Sequence, residues 1–406
     1  MHLDDYIPVV GASVVEDLRL IANKLKGCRV VNVNSTPVGG GVAEILSRMI
    51  PLLKELGLEA RWDVIRGGDR FFGITKKIHN GLHGTAVEIS AEDEAVYWET
   101  QELNAKTLDL KADMIFIHDP QPAGLIRWKP AIGGRWMWRC HVDVSAPDRG
   151  VWGFLEPVVE QYDAAVFSAP SFSQQLGIRQ GLIAPSIDPL SDKNKDLPQE
   201  FIDSTLDQFQ ISRDRPIVTQ ISRFDRLKDP AGVMEAYRLV KPYIDCQLVL
   251  AGGSASDDPE GAGVLAELRE RAKGDGDIHI LELPPTSHLE INALQRASTV
   301  ILQKSIREGF GLTVSEGLWK AKPVIAGAVG GIPLQITHKY SGLLTHSVEG
   351  TAYWLKQVLQ SPEFAKRLGE NGREHVRDNF LLTRHLMDYL LLFLSLDRAK
   401  EDIVYL

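Results

Sequence analysis

The sequence predicts an α/β protein made of two doubly wound, parallel-sheet domains facing each other across a cleft. Three observations carry that expectation. Its 406 residues exceed what one ordinary hydrophobic core organises. Short, nearly continuous apolar runs alternate with helical stretches, the pattern of parallel strands buried on both faces. The alternation then breaks at "PSIDPLSDKNKDLPQE" (185–200), rich in Pro, Asp, Ser and Lys, and restarts beyond it. That break reads as a linker between domains.

The elements follow in order. "CRVVNVNS" (28–35) is a strand that runs through "TPVGGG" into the helix "VAEILSRMIPLLKELG", which Pro51 is expected to kink. Strands follow at "EARWDVIR", "MIFIHD", "WMWRCHVD" and "AAVFSA". After the break come "PIVTQIS", a helix from Asp229, "CQLVLAGG", a helix near 260–273, "IHILEL", a further helix, "TVILQKS" and "PVIAG". The closing "LLTRHLMDYLLLFLSLDRAKED" reads as a long amphipathic helix able to pack on either domain.

Composition narrows the partners. A net charge of −9 disfavours nucleic acid and anionic membranes, which need an excess of Lys and Arg. The longest apolar run, "YLLLFLSL", is too short to span a bilayer. Cys28, Cys140 and Cys246 are scattered in apolar runs and read as buried thiols in a reducing compartment. No basic-then-apolar leader opens "MHLDDYIPVV", so a cytoplasmic location is expected.

Ligands of doubly wound sheets bind at the carboxyl ends of strands, beside helix N-termini, so the strand-to-helix loops are the candidates. Gly39-Gly40-Gly41 follows the first strand and suits a phosphate or a sugar, or simply a tight turn. It is not a G-x-G-x-x-G fingerprint, and no acid ends the next strand to hold a ribose, which disfavours a dinucleotide site. "ISRFDRLKDP" (221–230) places Arg223 and Lys228 in one loop, where two cations can neutralise a diphosphate; a solvated loop with an Asp225–Arg226 pair is the plainer reading. "LAGGSASDD" (250–258) opens a strand end into Gly252 and Gly253.

The fourth loop is "EGFGLTVSEG" (308–317). Thr313 and Glu316 read as a capping box, which accounts for Glu316 without any function. Glu308 and the glycines around Phe310 need another reason: amides near Thr313 can bind a phosphate, and Glu308 can accept from sugar hydroxyls. His79 and His83 have helical i, i+4 spacing, but no Glu follows the first His, so zinc is not expected. "GDGD" (274–277) reads as a turn more than as a metal-holding Asp-x-Asp.

Together these stretches resemble a family. "EGFGLTVSEG" is similar to the E-x7-E signature of retaining GT-B glycosyltransferases (glycosyltransferase family 4), and "SRFDRLKDP" looks like their Arg-and-Lys motif. More narrowly, "VNVNSTPVGGGVAEIL", "KIHNGLHG", "IHDPQP", "WRCHVDVS" and "APSIDPLSDKN" resemble the trehalose glycosyltransferring synthases. The resemblance covers essentially the whole chain and implies two Rossmann-like domains. Residues 1–186 would form the acceptor side, 187–380 the nucleotide-sugar-binding domain, and 381–406 a helix crossing back to the first domain.

It implies a retaining hexosyltransferase, reversibly making α,α-trehalose from ADP- or UDP-glucose and glucose, with no cofactor or metal required. Arg223 and Lys228 would hold the leaving diphosphate, Glu308 the transferred glucose, and His141 would stand beside the anomeric centre. Gly40, Gly41, Gly253, Gly309, Phe310, Gly311 and Leu312 would line the donor, with Thr313 at a phosphate and Glu316 at the ribose. Asn34, Asp119 and Gln121 are the acceptor-side candidates. The resemblance also suggests a homodimer. A retaining trehalose phosphorylase, or transfer from NDP-glucose to another sugar acceptor, stays open. A nucleotide-sugar sensor would be marked by loss of Arg223, Lys228 or Glu308, and all three are present.

Overall fold

The computed structural model describes residues 2–38, 41–253 and 259–397. It divides the chain into two compact units: Met1–Ser186 with Leu382–Leu406 (unit 1), and Ile187–Leu381 (unit 2).

Unit 1 is a six-stranded sheet of β1 (Arg29–Asn34), β2 (Glu59–Val64), β3 (Met114–His118), β4 (Arg135–Cys140), β5 (Ala164–Phe167) and β6 (Arg179–Leu182). The spatial order is β2-β1-β3-β4-β5-β6, with every neighbouring pair parallel. Central strands β3 and β5 are buried along their whole length, so their alternating positions both carry apolar side chains. Strand β6, "RQGL", has no apolar run because it lies at the edge, and sequence periodicity misses it.

From β1 the chain steps outward to β2, then returns to place β3 on the other flank of β1. That reversal leaves an opening at the carboxyl ends of β1 and β3. The C-terminal helix Leu382–Asp397 belongs to unit 1, where Tyr389 and Phe393 pack edge-on against Phe116 of β3. Leu386, Leu390 and Leu394 are fully buried on the same helix; each such side chain stabilises the fold by roughly 1.5–3 kcal/mol. Residues 41 to 55 run through Pro51 as one helix.

Unit 2 repeats the plan with β7 (Ile217–Ile221), β8 (Gln247–Gly252), β9 (Ile278–Glu282), β10 (Val300–Gln303), β11 (Val324–Gly327) and β12 (Leu343–Thr345). Its order is β12-β11-β10-β7-β8-β9, again all parallel. The reversal falls between β7 and β10, whose carboxyl ends feed the Arg223–Lys228 and Glu308–Thr313 loops.

The stretch expected to be a linker is largely built into unit 2. Asp188 and Asn194 are buried, and Asn194 donates to the Asp188 carbonyl at 3.0 Å. From the helix His288–Ala297, Asn292 donates to the carbonyls of Asp192 and Lys195, and Arg296 to those of Asn194 and Lys195. Its polar composition satisfies an irregular backbone, which looks the same in sequence as a solvated connector. Among the cysteines, Cys140 and Cys246 are buried and Cys28 is half-buried; all three are free thiols. No helix among the described residues is long and apolar enough to cross a membrane.

Candidate functional site

At the β7/β10 reversal of unit 2, two side chains singled out by the sequence come together. Lys228 Nζ lies 2.6 Å from Glu308 Oε2, and both side chains are largely withdrawn from solvent. Ser305 Oγ donates to the same oxygen at 3.1 Å, and Gln303 Nε2 donates to Ser305 Oγ at 3.1 Å. Glu308 Oε1 makes no hydrogen bond among the described residues, so one acceptor oxygen is left over. Backbone support comes from Gln220, whose Nε2 donates to the Lys228 carbonyl at 2.8 Å.

Arg223, half exposed, faces Asp225 at 3.5 Å. Asp225 does not pair with Arg226 as the plainer reading expected; its carboxylate accepts from the Leu227 amide, and Arg226 pairs with Glu267. Asp229, in the left-handed region at φ 50°, caps the next helix through the Gly232 amide and forms an ion pair with Lys304. Fixed negative charge thus stands beside each cation of the loop: Asp225 beside Arg223, Glu267 beside Arg226 and Glu308 beside Lys228.

The capping box is not formed. Helix Leu312–Trp319 starts from Gly311 in the left-handed region (φ 81°), with no side-chain cap. A glycine in that conformation already turns the chain, and the Val314 amide is satisfied by the Gly311 carbonyl at 2.9 Å. Glu316 points inward, 3% exposed, and accepts from Gln295 Nε2 at 3.3 Å. Thr313 is half-buried, and its hydroxyl makes no hydrogen bond among the described residues. The loop's carbonyls are spoken for: the Gly331 amide donates to Gly309 O at 3.1 Å and Gln335 Nε2 to Phe310 O at 2.5 Å. Its amides therefore remain the groups available to an anion at the helix start beside Leu312.

Gly253 and its neighbour have a structural reason. A Cβ on Gly252 would sit 1.8 Å from the Ser222 carbonyl, and one on Gly253 2.9 Å from the Leu283 carbonyl. These glycines let neighbouring strand ends close up. Gly41 opens the helix Gly41–Glu55 of unit 1, half-buried, whereas Gly40 lies outside the described residues.

At the β1/β3 reversal of unit 1, His141 follows β4 and Asp119 follows β3. The His141 amide donates to Asp119 Oδ1 at 2.7 Å, and the Asp119 amide to the Arg139 carbonyl at 2.7 Å. These bonds hold Asp119 at φ 66°, a conformation uncommon outside glycine. Removal from water pushes its carboxyl up to about 7, against the opposing pull of the His141 amide and Arg139. His141 Nε2 lies 3.1 Å from His118 Nδ1, and His118 Nε2 lies 3.0 Å from Asn32 Oδ1. Burial and the nearby Arg139 drive both imidazoles toward the neutral form, His118 down to about 3.

The other acceptor-side candidates divide. Gln121 keeps Oε1 without a partner among the described residues, while its carbonyl accepts from Gln101. Both ends of the Asn34 amide are engaged, with Trp62 Nε1 and the Thr36 carbonyl, each at 2.8 Å. Sequence reasoning missed His118, Asn32 and Ser305. His118 stood inside the quoted "IHDPQP", and its position at a strand end was the available signal. Among the described residues no three His, Cys, Asp or Glu side chains cluster as a metal site. Asp277 of "GDGD" is engaged in ion pairs with Arg215 at 2.7 Å and Lys241 at 2.6 Å.

Comparison with known proteins matches residues 32–174 to a model described as trehalose synthase, N-terminal domain, and 202–375 to one described as glycosyl transferases group 1. The chain is 43% identical to trehalose synthase of Rubrobacter xylanophilus over 97% of each chain. It is 44% identical to that of Pyrococcus horikoshii, covering 96% of this chain and 95% of the relative. Trehalose phosphorylase of Pleurotus pulmonarius is 27% identical over 98% of this chain, which spans only 61% of that longer protein. Among solved structures, a UDP-forming α,α-trehalose-phosphate synthase from Burkholderia xenovorans superposes with TM-score 0.72 over 91% of this chain and 99% of its own, at 16% identity. The two six-stranded parallel units are those of the GT-B glycosyltransferase fold.

Proposed function

The chain belongs to the trehalose synthase family of glycosyltransferases, and from that premise we propose that it transfers glucose, with retention, from a nucleoside-diphosphate glucose to free glucose. The product is α,α-trehalose and the reaction is reversible. One observation carries the reading: Lys228, Glu308 and the helix start at Leu312 meet at the β7/β10 reversal, with Arg223 in the same loop as Lys228.

Each residue then has a task. Arg223 takes the diphosphate as the partly exposed cation, forking two oxygens. Lys228, already neutralised by Glu308, contributes a shared proton donor more than a free charge. Glu308 offers Oε1 to a hydroxyl of the transferred glucose while Ser305 and Lys228 hold Oε2 in place. Amides of Leu312 and Thr313 receive a phosphate oxygen, and Glu316 serves the ribose. In unit 1, His141, Asp119 and Gln121 serve sugar hydroxyls, while Asn34 shapes its loop. The anomeric bond to the diphosphate breaks as the acceptor oxygen bonds to the same face, and the acceptor's proton passes to the departing phosphate oxygen. No metal is assigned, because the cations and the helix start supply the charge. The reaction is placed in the cytoplasm.

A phosphorylase working on the same scaffold is the second reading, supported by the similarity to the longer trehalose phosphorylases. It would use inorganic phosphate in place of the nucleotide. Loss of one fixed donor to a developing anion costs roughly 100- to 1,000-fold in turnover, so Arg223→Ala is expected to lower kcat by that factor with little change in the KM for glucose. Near-normal turnover in that variant would remove Arg223 from the role.

A further inference from the structure

We propose that Asn32 and His118 are positioning residues that fix His141 as its Nε2–H tautomer, leaving Nδ1 to accept a hydrogen bond from a sugar hydroxyl. The sugar part of this inference rests on the transferase reading above. The tautomer part rests on the contact geometry and on burial beside Arg139.

The direction follows from one end of a chain of contacts. Asn32 Oδ1 can only accept, so His118 Nε2, 3.0 Å away, carries the proton. A neutral imidazole has a single N–H, which leaves His118 Nδ1 as a lone pair. That lone pair faces His141 Nε2 at 3.1 Å, and the contact is a hydrogen bond only if His141 Nε2 carries the proton. His141 Nδ1 is then bare, and it makes no hydrogen bond among the described residues.

The surroundings keep the chain neutral. The stacked rings of His118 and His141 share a layer with Arg139, which is fully buried and whose guanidinium nitrogens have no hydrogen-bond partner among the described residues. His385 of the C-terminal helix also faces them, with Nδ1 2.9 Å from Ser186 Oγ, and Asp119 lies beside the His141 amide. An added proton on either ring would meet the Arg139 charge in a medium that screens poorly. His118 itself is buried, whereas His141 is half-buried. The relay therefore turns a residue able to donate or accept into a fixed acceptor. A hydroxyl satisfies such an acceptor; a fluorine in the same place does not.

The experiment uses the full-length protein labelled with 15N-histidine, read by long-range 1H–15N correlation between about pH 6 and 8. Resonances are assigned with His141→Gln and His118→Gln. The expected spectrum has protonated Nε2 and bare Nδ1 on both histidines, and Asn32→Leu, which removes the acceptor at similar size, converts His141 to a tautomer mixture. An Nδ1–H tautomer or an imidazolium at His141 overturns the proposal, since an Asn32 amide turned end for end would reverse the whole chain. The wild-type spectrum decides this even if Asn32→Leu does not fold. A panel of monodeoxyfluoro glucoses tests the sugar contact: one position should lose at least about tenfold more kcat/KM in wild type than in Asn32→Leu. Equal losses at every position overturn the hydroxyl contact while leaving the tautomer result intact. Absence of any glucosyl transfer by the wild type would overturn the transferase reading and the sugar contact together.

Discussion

Glu308 and Glu316 look alike in "EGFGLTVSEG", and their surroundings give them different work. Glu308 shares one oxygen with Lys228 and Ser305, so removing either charge strands the other in a poorly solvated place. A double-mutant cycle on Lys228→Met and Glu308→Gln, read by chemical denaturation, should return a coupling of roughly 1–3 kcal/mol. Coupling indistinguishable from zero would mean that the pair does not organise the loop. Behind Glu316, Lys320 donates to the Glu316 carbonyl and to Asn194 Oδ1, and burial holds its ammonium down from 10.5 to about 7, with the Glu316 carboxylate opposing.

Between about 7 and 10.5 the unfolded chain binds the Lys320 proton and the folded protein does not, so this group makes stability rise with pH across that window. Its contribution approaches ~1.4 kcal/mol per pH unit. Denaturation at pH 7.5 and 9.5 should show that slope in the wild type and lack about 2 kcal/mol of the rise in Lys320→Met. Identical slopes would show that Lys320 is charged in the folded protein. Nothing in the sequence announced this lysine, because a Lys just past the last apolar turn of a helix reads as a surface charge.

At the scale of elements, loops close against one another through glycines. Gly330 sits at φ 55°, and a Cβ there would lie 1.6 Å from the Glu308 carbonyl. Gly330→Ala must either strain that turn or displace the loop carrying Glu308. We expect a stability loss above roughly 2 kcal/mol together with a fall in activity. Gly276→Ala, with open space around its Cβ, should change stability by less than about 0.5 kcal/mol. Comparable effects in the two variants would contradict the close-approach account.

The same scale shows what was legible. Strands β1, β3, β4, β5, β7, β8, β10 and β11 announce themselves because burial on both faces favours largely apolar runs, interrupted at positions such as Asn32, Arg139 and Gln220. Strands β6 and β12 are short edge strands, "RQGL" and "LLT", and carry no such demand. The capping box failed for a related reason: Gly311 alone turns the chain, a solution that a four-residue motif does not encode. Arg223, Lys228 and Glu308 stood in strand-to-helix loops whose motifs carried the family resemblance, whereas Asn32 and His118 are polar residues hidden in largely apolar strands. Only the register of β1, β3 and β4 brings them to His141.

On the scale of the molecule, two units repeat one device. Each is a parallel six-stranded sheet whose strand order reverses once, and each reversal gathers the charged or polar residues of two loops. The first carries a neutral histidine chain with a strained Asp119, suited to hydroxyls; the second carries cations and a helix start, suited to phosphates. That division of chemistry agrees with membership of the trehalose synthase family. It also makes the donor the point on which the account turns. Purified protein incubated with trehalose and, separately, ADP, UDP or inorganic phosphate is the direct test. Free glucose released together with a nucleoside-diphosphate glucose, with one of the two nucleotides, is the predicted result; glucose 1-phosphate formed from phosphate alone would contradict it.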